Sequence, residues 1–216
     1  MITTQTRLFI IIVVSLTEAL TTAFSVAASL PAQSGAVPEE LRGILVDEPA
    51  TLPSFQLRDQ QNQPFGPPRF KNAWTFVYFG YTHCPDVCPT TLTAMDDAAD
   101  QLSKLDTGNH NIQYMFVSID PDRDNPKSLG EYVKYFNAKF IAATGDTQQL
   151  KKLADTLHIK FQRVDITENE YGFNHSSAML LIDPQARYYA RFRAPHYAEK
   201  LFTQFRKVLA YNKYDK

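Results

Sequence analysis

Ala73-Trp74-Thr75-Phe76-Val77-Tyr78-Phe79-Gly80-Tyr81 runs without a break into Thr82-His83-Cys84-Pro85-Asp86-Val87-Cys88-Pro89. The first nine residues are aromatic, β-branched or small, the pattern of a central strand covered on both faces. Helical spacing follows over Thr90 to Leu105, where Leu92, Met95, Ala98, Ala99 and Leu102 fall on one face. A second apolar run, Ile112 to Ile119, contains Tyr114, Met115, Phe116 and Val117. Strand, helix and strand in this span make a βαβ unit, so the two strands should lie parallel. Pro89 suits the first turn of the helix, where a missing N–H leaves nothing unpaired.

Downstream, Lys127 to Phe136 and Gln148 to Leu157 read as two more helices. Ala178 to Ile182 and Tyr188 to Phe192 flank the turn Pro184-Gln185-Ala186-Arg187 and read as a hairpin. Its Tyr188, Tyr189, Arg191 and Arg193 are expected on one exposed face. A last helix over Ala198 to Tyr211 stripes Leu201, Phe202, Phe205, Val208 and Leu209 together. The sum is one α/β domain with a central mixed sheet flanked by helices. No internal repeat is visible.

Upstream, Arg7 precedes an unbroken apolar run from Leu8 to Val14, and small residues Ser25-Val26-Ala27-Ala28 follow. That is the layout of a secretory signal. The apolar core is shorter than the ~20 residues of a membrane span. The wider stretch Leu8 to Leu30 reaches that length only with Glu18 inside it, at a cost of about 2.5–3.5 kcal/mol. Residues 1–28 are therefore read as a signal peptide or a retained membrane anchor, 29–50 as a tether, and 51–213 as the working domain. Export places that domain outside the cytoplasm, on the periplasmic side of the membrane, where thiols need not stay reduced.

The formal charge of −1 and the lack of a Lys/Arg run leave no case for nucleic acid as a partner. Two cysteines are too few for a disulfide scaffold, so Cys84 and Cys88 are read as a pair. They fall at the C-terminal edge of a parallel strand, where α/β folds place their sites, and at a helix N-terminus, which stabilises a thiolate. A Cys-x3-Cys spacing brings the sulfurs to one side if the segment is helical. Two such sulfurs bind a soft metal or form a redox-active disulfide. A third ligand would favour metal. His83 adjoins Cys84 but its side chain should point away; His110 lies in a polar loop, His158 ends a helix, and His196 begins one. His175 follows the Glu170 to Asn174 loop and precedes an apolar strand, and position alone leaves its role open.

Residues 120–131 imitate a calcium-binding loop, with acids at Asp120, Asp122 and Asp124 and Glu131 at the twelfth position. Asn125 stands where the turn requires glycine, Pro121 and Pro126 interrupt it, and a strand precedes it. It is read as a strand-to-helix loop with Asp124 or Asn125 as the cap.

Three strings together resemble the SCO/SenC family of copper chaperones: Phe79 to Pro89, Val117 to Pro126, and Asn174-His175-Ser176. Leu41-Arg42-Gly43 and Leu52-Pro53-Ser54-Phe55 also look like that family's entry into the domain. The resemblance implies a thioredoxin-like fold, export with a frequent anchor, and delivery of copper to cytochrome c oxidase. It assigns Cys84, Cys88 and His175 as copper ligands, and a protein partner, an oxidase subunit, as recipient. Related redox proteins of this fold carry a proline before the equivalent strand. None lies between Tyr171 and Ile182, which fits a metal site better than a peptide-binding one. One departure is Asn174, where many members have Asp; it can hydrogen-bond but adds no negative charge. Ligand chemistry alone does not separate copper from zinc. The competing expectation is a thiol-disulfide oxidoreductase using Cys84 and Cys88, with a thiol reductant as partner. The chaperone reading makes the protein no enzyme, or one with auxiliary reductase activity.

Overall fold

A computed structural model of the chain describes residues 37–104 and 111–214. The signal or anchor expected over 1–28, the first part of the expected tether and His110 lie outside the described residues. In order, the elements are β1 (Leu45–Thr51), β2 (Leu57–Asp59), β3 (Pro64–Phe65), β4 (Trp74–Gly80), α1 (Val87–Ser103), β5 (Ile112–Ser118) and α2 (Pro126–Phe136). There follow β6 (Ile141–Thr144), α3 (Thr147–Thr156), β7 (Phe161–Asp165), β8 (Tyr171–His175), β9 (Met179–Ile182), β10 (Arg187–Phe192) and α4 (Ala198–Tyr214).

Eight strands form one mixed sheet in the order β1-β10-β9-β4-β5-β6-β2-β3, while β7 and β8 pair separately as a two-stranded ribbon. The expected βαβ unit is present: β4 and β5 run parallel from Trp74 beside Ile112 to Gly80 beside Ser118. β5 and β6 are parallel as well, and the hairpin β9–β10 is antiparallel. All seven residues of β4 are buried, as its unbroken apolar run requires.

Alternation along β4 sends Trp74, Phe76, Tyr78 and Gly80 to one face. On that face the Trp74 ring meets Tyr189 and Phe205 edge-on, at centroid distances of 5.3 and 5.9 Å. Phe76 stacks on Tyr114 and Phe192 and meets the edge of Phe205. The aromatic run thus joins β5, β10 and α4, and it is core, as its sequence indicated. α1 packs alongside α4, so the helix carrying Cys88 is held by the closing helix as well as by the sheet.

Two expectations are corrected. The stretch read as tether is partly structured: Glu39–Leu41 form a 3-10 turn with Leu41 buried, and Leu45–Thr51 pair with β10. The hairpin face is not exposed. Tyr188 and Tyr189 are 3% and 5% exposed. Neighbouring strand residues point to opposite faces, so the two tyrosines cannot share one. With β1 paired along its edge, β10 is an interior strand. Among the described residues no helix is long and apolar enough to cross a membrane.

Because the Phe76 ring touches three other aromatic rings on three elements, Phe76→Ala is expected to cost about 3–5 kcal/mol. Denaturant unfolding of the soluble domain measures it, and a loss below about 1 kcal/mol would place the core elsewhere.

Candidate metal centre

Tyr81 ends the buried stretch and the chain turns at once, with the Cys84 amide donating to the Tyr81 carbonyl at 3.2 Å. The helix begins at Val87, three residues earlier than its apolar spacing suggested. Cys88 is therefore in the first turn, whereas Cys84 lies in the turn before the helix. Cys88 is fully buried and Cys84 nearly so, and both are free thiols.

The Cys88 sulfur lies directly over β4. A β-carbon on Gly80 would stand 2.7 Å from it and 2.8 Å from Phe116 Cε2, so no larger residue fits without moving the thiol or the ring. Tyr78, two residues back on the same face, donates its hydroxyl toward that sulfur at 3.9 Å. Burial pushes the Tyr78 phenol well above its ordinary pKa, keeping it a proton donor.

His175 approaches from outside the main sheet. It closes the β7–β8 ribbon, paired with Phe161, and its Nε2 stands 3.8 Å from Cys88 Sγ. The segment before it, expected as a loop, is the strand β8. The ring meets Tyr78 and Tyr81 edge-on, at 6.3 and 6.1 Å. Its Nδ1 is 3.1 Å from the Ser176 carbonyl, so the proton belongs there and Nε2 keeps its lone pair toward the sulfurs. The ligand atoms of Cys84, Cys88 and His175 all lie within 4.8 Å of one another. His175 and Asn174 also form one wall of an open cleft with Lys151, Asp155, Lys160 and Phe161.

The remaining histidines stand elsewhere. His158 follows α3 in the left-handed region, and its carbonyl accepts from Arg191. His83 is more than half exposed, with Nδ1 3.0 Å from Thr82 Oγ1. It gathers with Asp120 and Asp124 in a second group of ligand-type atoms. Those carboxylates are already satisfied. Asp124 accepts from the Thr82 amide, the Thr82 hydroxyl and the Ser118 hydroxyl. Asp120 accepts from the Arg123 guanidinium and the Tyr171 hydroxyl. Asn125 caps α2 with Ser128 in a reciprocal box and Pro126 follows, so the calcium-like segment is a strand-to-helix loop. The buried acids fasten the loops around the thiols.

The two sulfurs share their protons unequally. Cys84 is lowered to about 4, chiefly by a hydrogen bond from the Cys88 thiol, with further help from the amides of Cys88 and Asp86. Cys88 moves the opposite way, because it is the donor in that bond and is the more deeply buried. The site thus holds one thiolate and one thiol near neutrality, as a coupled pair.

The model for SCO1/SenC matches residues 46–210. The chain belongs to the SCO1/SenC family. It is 34% identical over 167 residues to a protein of Stutzerimonas stutzeri whose name describes it as a candidate copper binder, covering 77% of this chain and 81% of that one. It is 39% identical over 142 residues to an SCO2-like protein of Rickettsia conorii, covering 64% and 67%. Among solved structures, Arabidopsis thaliana ScoI with copper bound superposes with a TM-score of 0.68 at 27% identity, covering 76% of this chain and 99% of that one. Bradyrhizobium japonicum ScoI with copper bound gives 0.65 at 27% identity, with 73% and 99% covered. The thioredoxin-like fold expected of the SCO1/SenC motifs is the fold observed.

One neighbour of these sulfurs escaped the sequence. Tyr78 read only as core, although its parity with Gly80 placed it on the cysteine face. His196, read as the start of a helix, is buried, which nothing local in the sequence marks.

One thiolate should titrate far below the ordinary cysteine range, and its cause is the Cys88 proton. Ultraviolet thiolate absorbance of the reduced domain is expected to rise with a midpoint near about 4 and stay flat through neutrality. In Cys88→Ala the donor is gone, and the midpoint should climb toward the ordinary value near 9. A wild-type midpoint at that ordinary value would contradict the shared-proton geometry.

Proposed function

We propose that the protein is a copper metallochaperone in which Cys84, Cys88 and His175 bind one copper ion as cargo for a protein partner. The observation carrying this reading is the convergence of two soft sulfurs and one imidazole nitrogen within 4.8 Å, from a helix, the turn before it and a separate ribbon. The donor set fits the ion. Bonds of about 2.3 Å to sulfur and about 2.0 Å to nitrogen put the donors of a trigonal centre about 3.7–4.0 Å apart. The Cys88 Sγ to His175 Nε2 separation of 3.8 Å needs no rearrangement to meet that. Thiolates and imidazole suit Cu(I) and can hold Cu(II). Zinc accepts the same donors, and the copper held by the Arabidopsis and Bradyrhizobium structures argues for copper here.

Delivery to a respiratory oxidase, with an oxidase subunit as recipient, follows from the motif resemblance. So does a periplasmic location behind a cleaved signal or a retained anchor in residues 1–28. On this reading the tether gives way to the folded domain before Leu41, ahead of the expected boundary at residue 51.

One observation favours a second activity at the same sulfurs. An ionised Cys84 beside a protonated Cys88 is the arrangement of an attacking and a resolving thiol. The two roles exclude each other in time, because an oxidised pair cannot bind copper. A partner reductant would therefore have to act before loading.

An anaerobic copper titration of the reduced domain decides between them. The wild type should bind one copper tightly, and Cys84→Ser, Cys88→Ser and His175→Ala should each weaken it by at least tenfold, on the order expected for losing a ligand or its support. Equal binding without His175, or none in the wild type, would leave thiol-disulfide exchange as the better account.

A further inference from the structure

His175 is the last residue of the ribbon, and Ser176-Ser177-Ala178 carry the chain from there into β9. The path of this short link sets where the imidazole stands. Ser176 is tied to Lys160 in both directions, its amide donating at 2.9 Å and its hydroxyl accepting from the Lys160 amide at 3.2 Å. Lys160 immediately precedes β7, so those bonds travel with the ribbon. A third bond reaches the body of the fold: His196 Nε2 stands 2.7 Å from the Ser177 carbonyl oxygen.

His196 is 8% exposed and precedes α4, the helix that packs along α1. Its ring meets Tyr78 edge-on at 6.5 Å, on the aromatic that also touches His175 and donates toward Cys88. A carbonyl oxygen only accepts, so Nε2 of His196 carries the proton. Burial also holds this imidazole below its ordinary pKa, favouring the neutral ring.

We infer that His196 is a positioning residue for the copper site: its Nε2–H clamps the Ser177 carbonyl and so fixes the link that holds His175 against Cys84 and Cys88. The inference rests on the reading of His175 as a copper ligand. The clamp joins ribbon and body at one point, two residues beyond the ligand. Without it, the ribbon keeps its own pairing but its angle to α1 loses a constraint. The sulfurs, held by α1 and Gly80, would not move.

Three variants separate these parts. His196→Leu removes the donor, His196→Gln offers an amide N–H at about the same reach, and His175→Ala removes the ligand. Each is titrated with copper in the reduced state, and the Cu(II) form is examined by electron paramagnetic resonance for coupling to the imidazole nitrogen. H196L is expected to bind copper about 10–100-fold more weakly, the range for partners that orient a metal ligand, and to lose the nitrogen coupling. H196Q should restore both. Wild-type affinity and coupling in H196L, or an H196Q no better than H196L, overturns the clamp alone while H175A still loses copper. Wild-type binding in H175A overturns the ligand assignment and the clamp with it. Ring-nitrogen NMR of the unmodified protein tests the clamp without any variant. His196 should be protonated on Nε2, with a slowly exchanging proton, and an Nδ1-protonated ring overturns the proposal.

Discussion

The Cys88 sulfur occupies the space where residue 80 would carry its β-carbon, and the rest of the site depends on that fit. Because the thiol needs Gly80, α1 lies close against the end of β4, and the first turn of the helix stands at the sheet's C-terminal edge. Cys84, one turn earlier, then falls where the free amides of the helix start can reach it. A sulfur placed by helix-on-strand packing is fixed as firmly as a core side chain, since both elements are buried around it. The second sulfur is held by a turn, and the imidazole by a ribbon outside the main sheet. Burial falls from Cys88 to Cys84 to His175.

The charges around this centre are arranged to hold loops. Asp124 is fully buried and accepts three hydrogen bonds from Thr82 and Ser118, which joins the turn before Cys84 to the end of β5. Asp120 pairs with Arg123, and that guanidinium lies 3.7 Å over the Tyr171 ring at the start of β8. Arg163 on β7 stacks on the same ring at 3.6 Å. The ribbon is thus fastened to the β5–α2 loop by the Arg123–Tyr171 cation–π contact and by the Tyr171 hydroxyl, which donates to Asp120. An isolated two-stranded ribbon is marginal in water, so such fastening is what allows it to present a histidine at all.

Where one period dominated the sequence, the structure was legible. β4 and β5 are continuous apolar runs and α4 is a clean stripe, so the βαβ unit, the hairpin and the closing helix could be read directly. β1 was hidden because Asp47, Glu48 and Pro49 are edge-strand residues, which look like linker when the partner strand is unknown. The ribbon was hidden for a related reason: most of β7 is exposed, so no hydrophobic alternation announces it. That omission mattered most. The position of His175 is set by the pairing of Phe161 with His175, a contact between segments with no local signature. The cysteine pair was legible because its placement is local to one strand and one helix. The histidine was assigned only through its resemblance to a family pattern. Tyr188 and Tyr189 were misplaced by treating adjacent residues as one face, which strand geometry forbids.

The same gradient of burial bears on how such a site could release a soft metal. An ion held by three equally buried donors offers an incoming ligand no first point of exchange. Here the donors differ. Cys88 is sealed under the helix, Cys84 sits in the turn beside it as the thiolate of the pair, and His175 lines an open cleft on a separate ribbon. A partner's ligand entering from that cleft would meet the imidazole first, and replacing it disturbs neither the sheet nor α1. The sulfurs could then be exchanged in turn, Cys84 before the buried Cys88, with the ion never losing all its bonds. A redox pair needs no such third donor, and its chemistry is complete with the two sulfurs on α1 and its leading turn. The ribbon, with its buried fastenings and its single histidine at the end, is structure that only the metal reading uses.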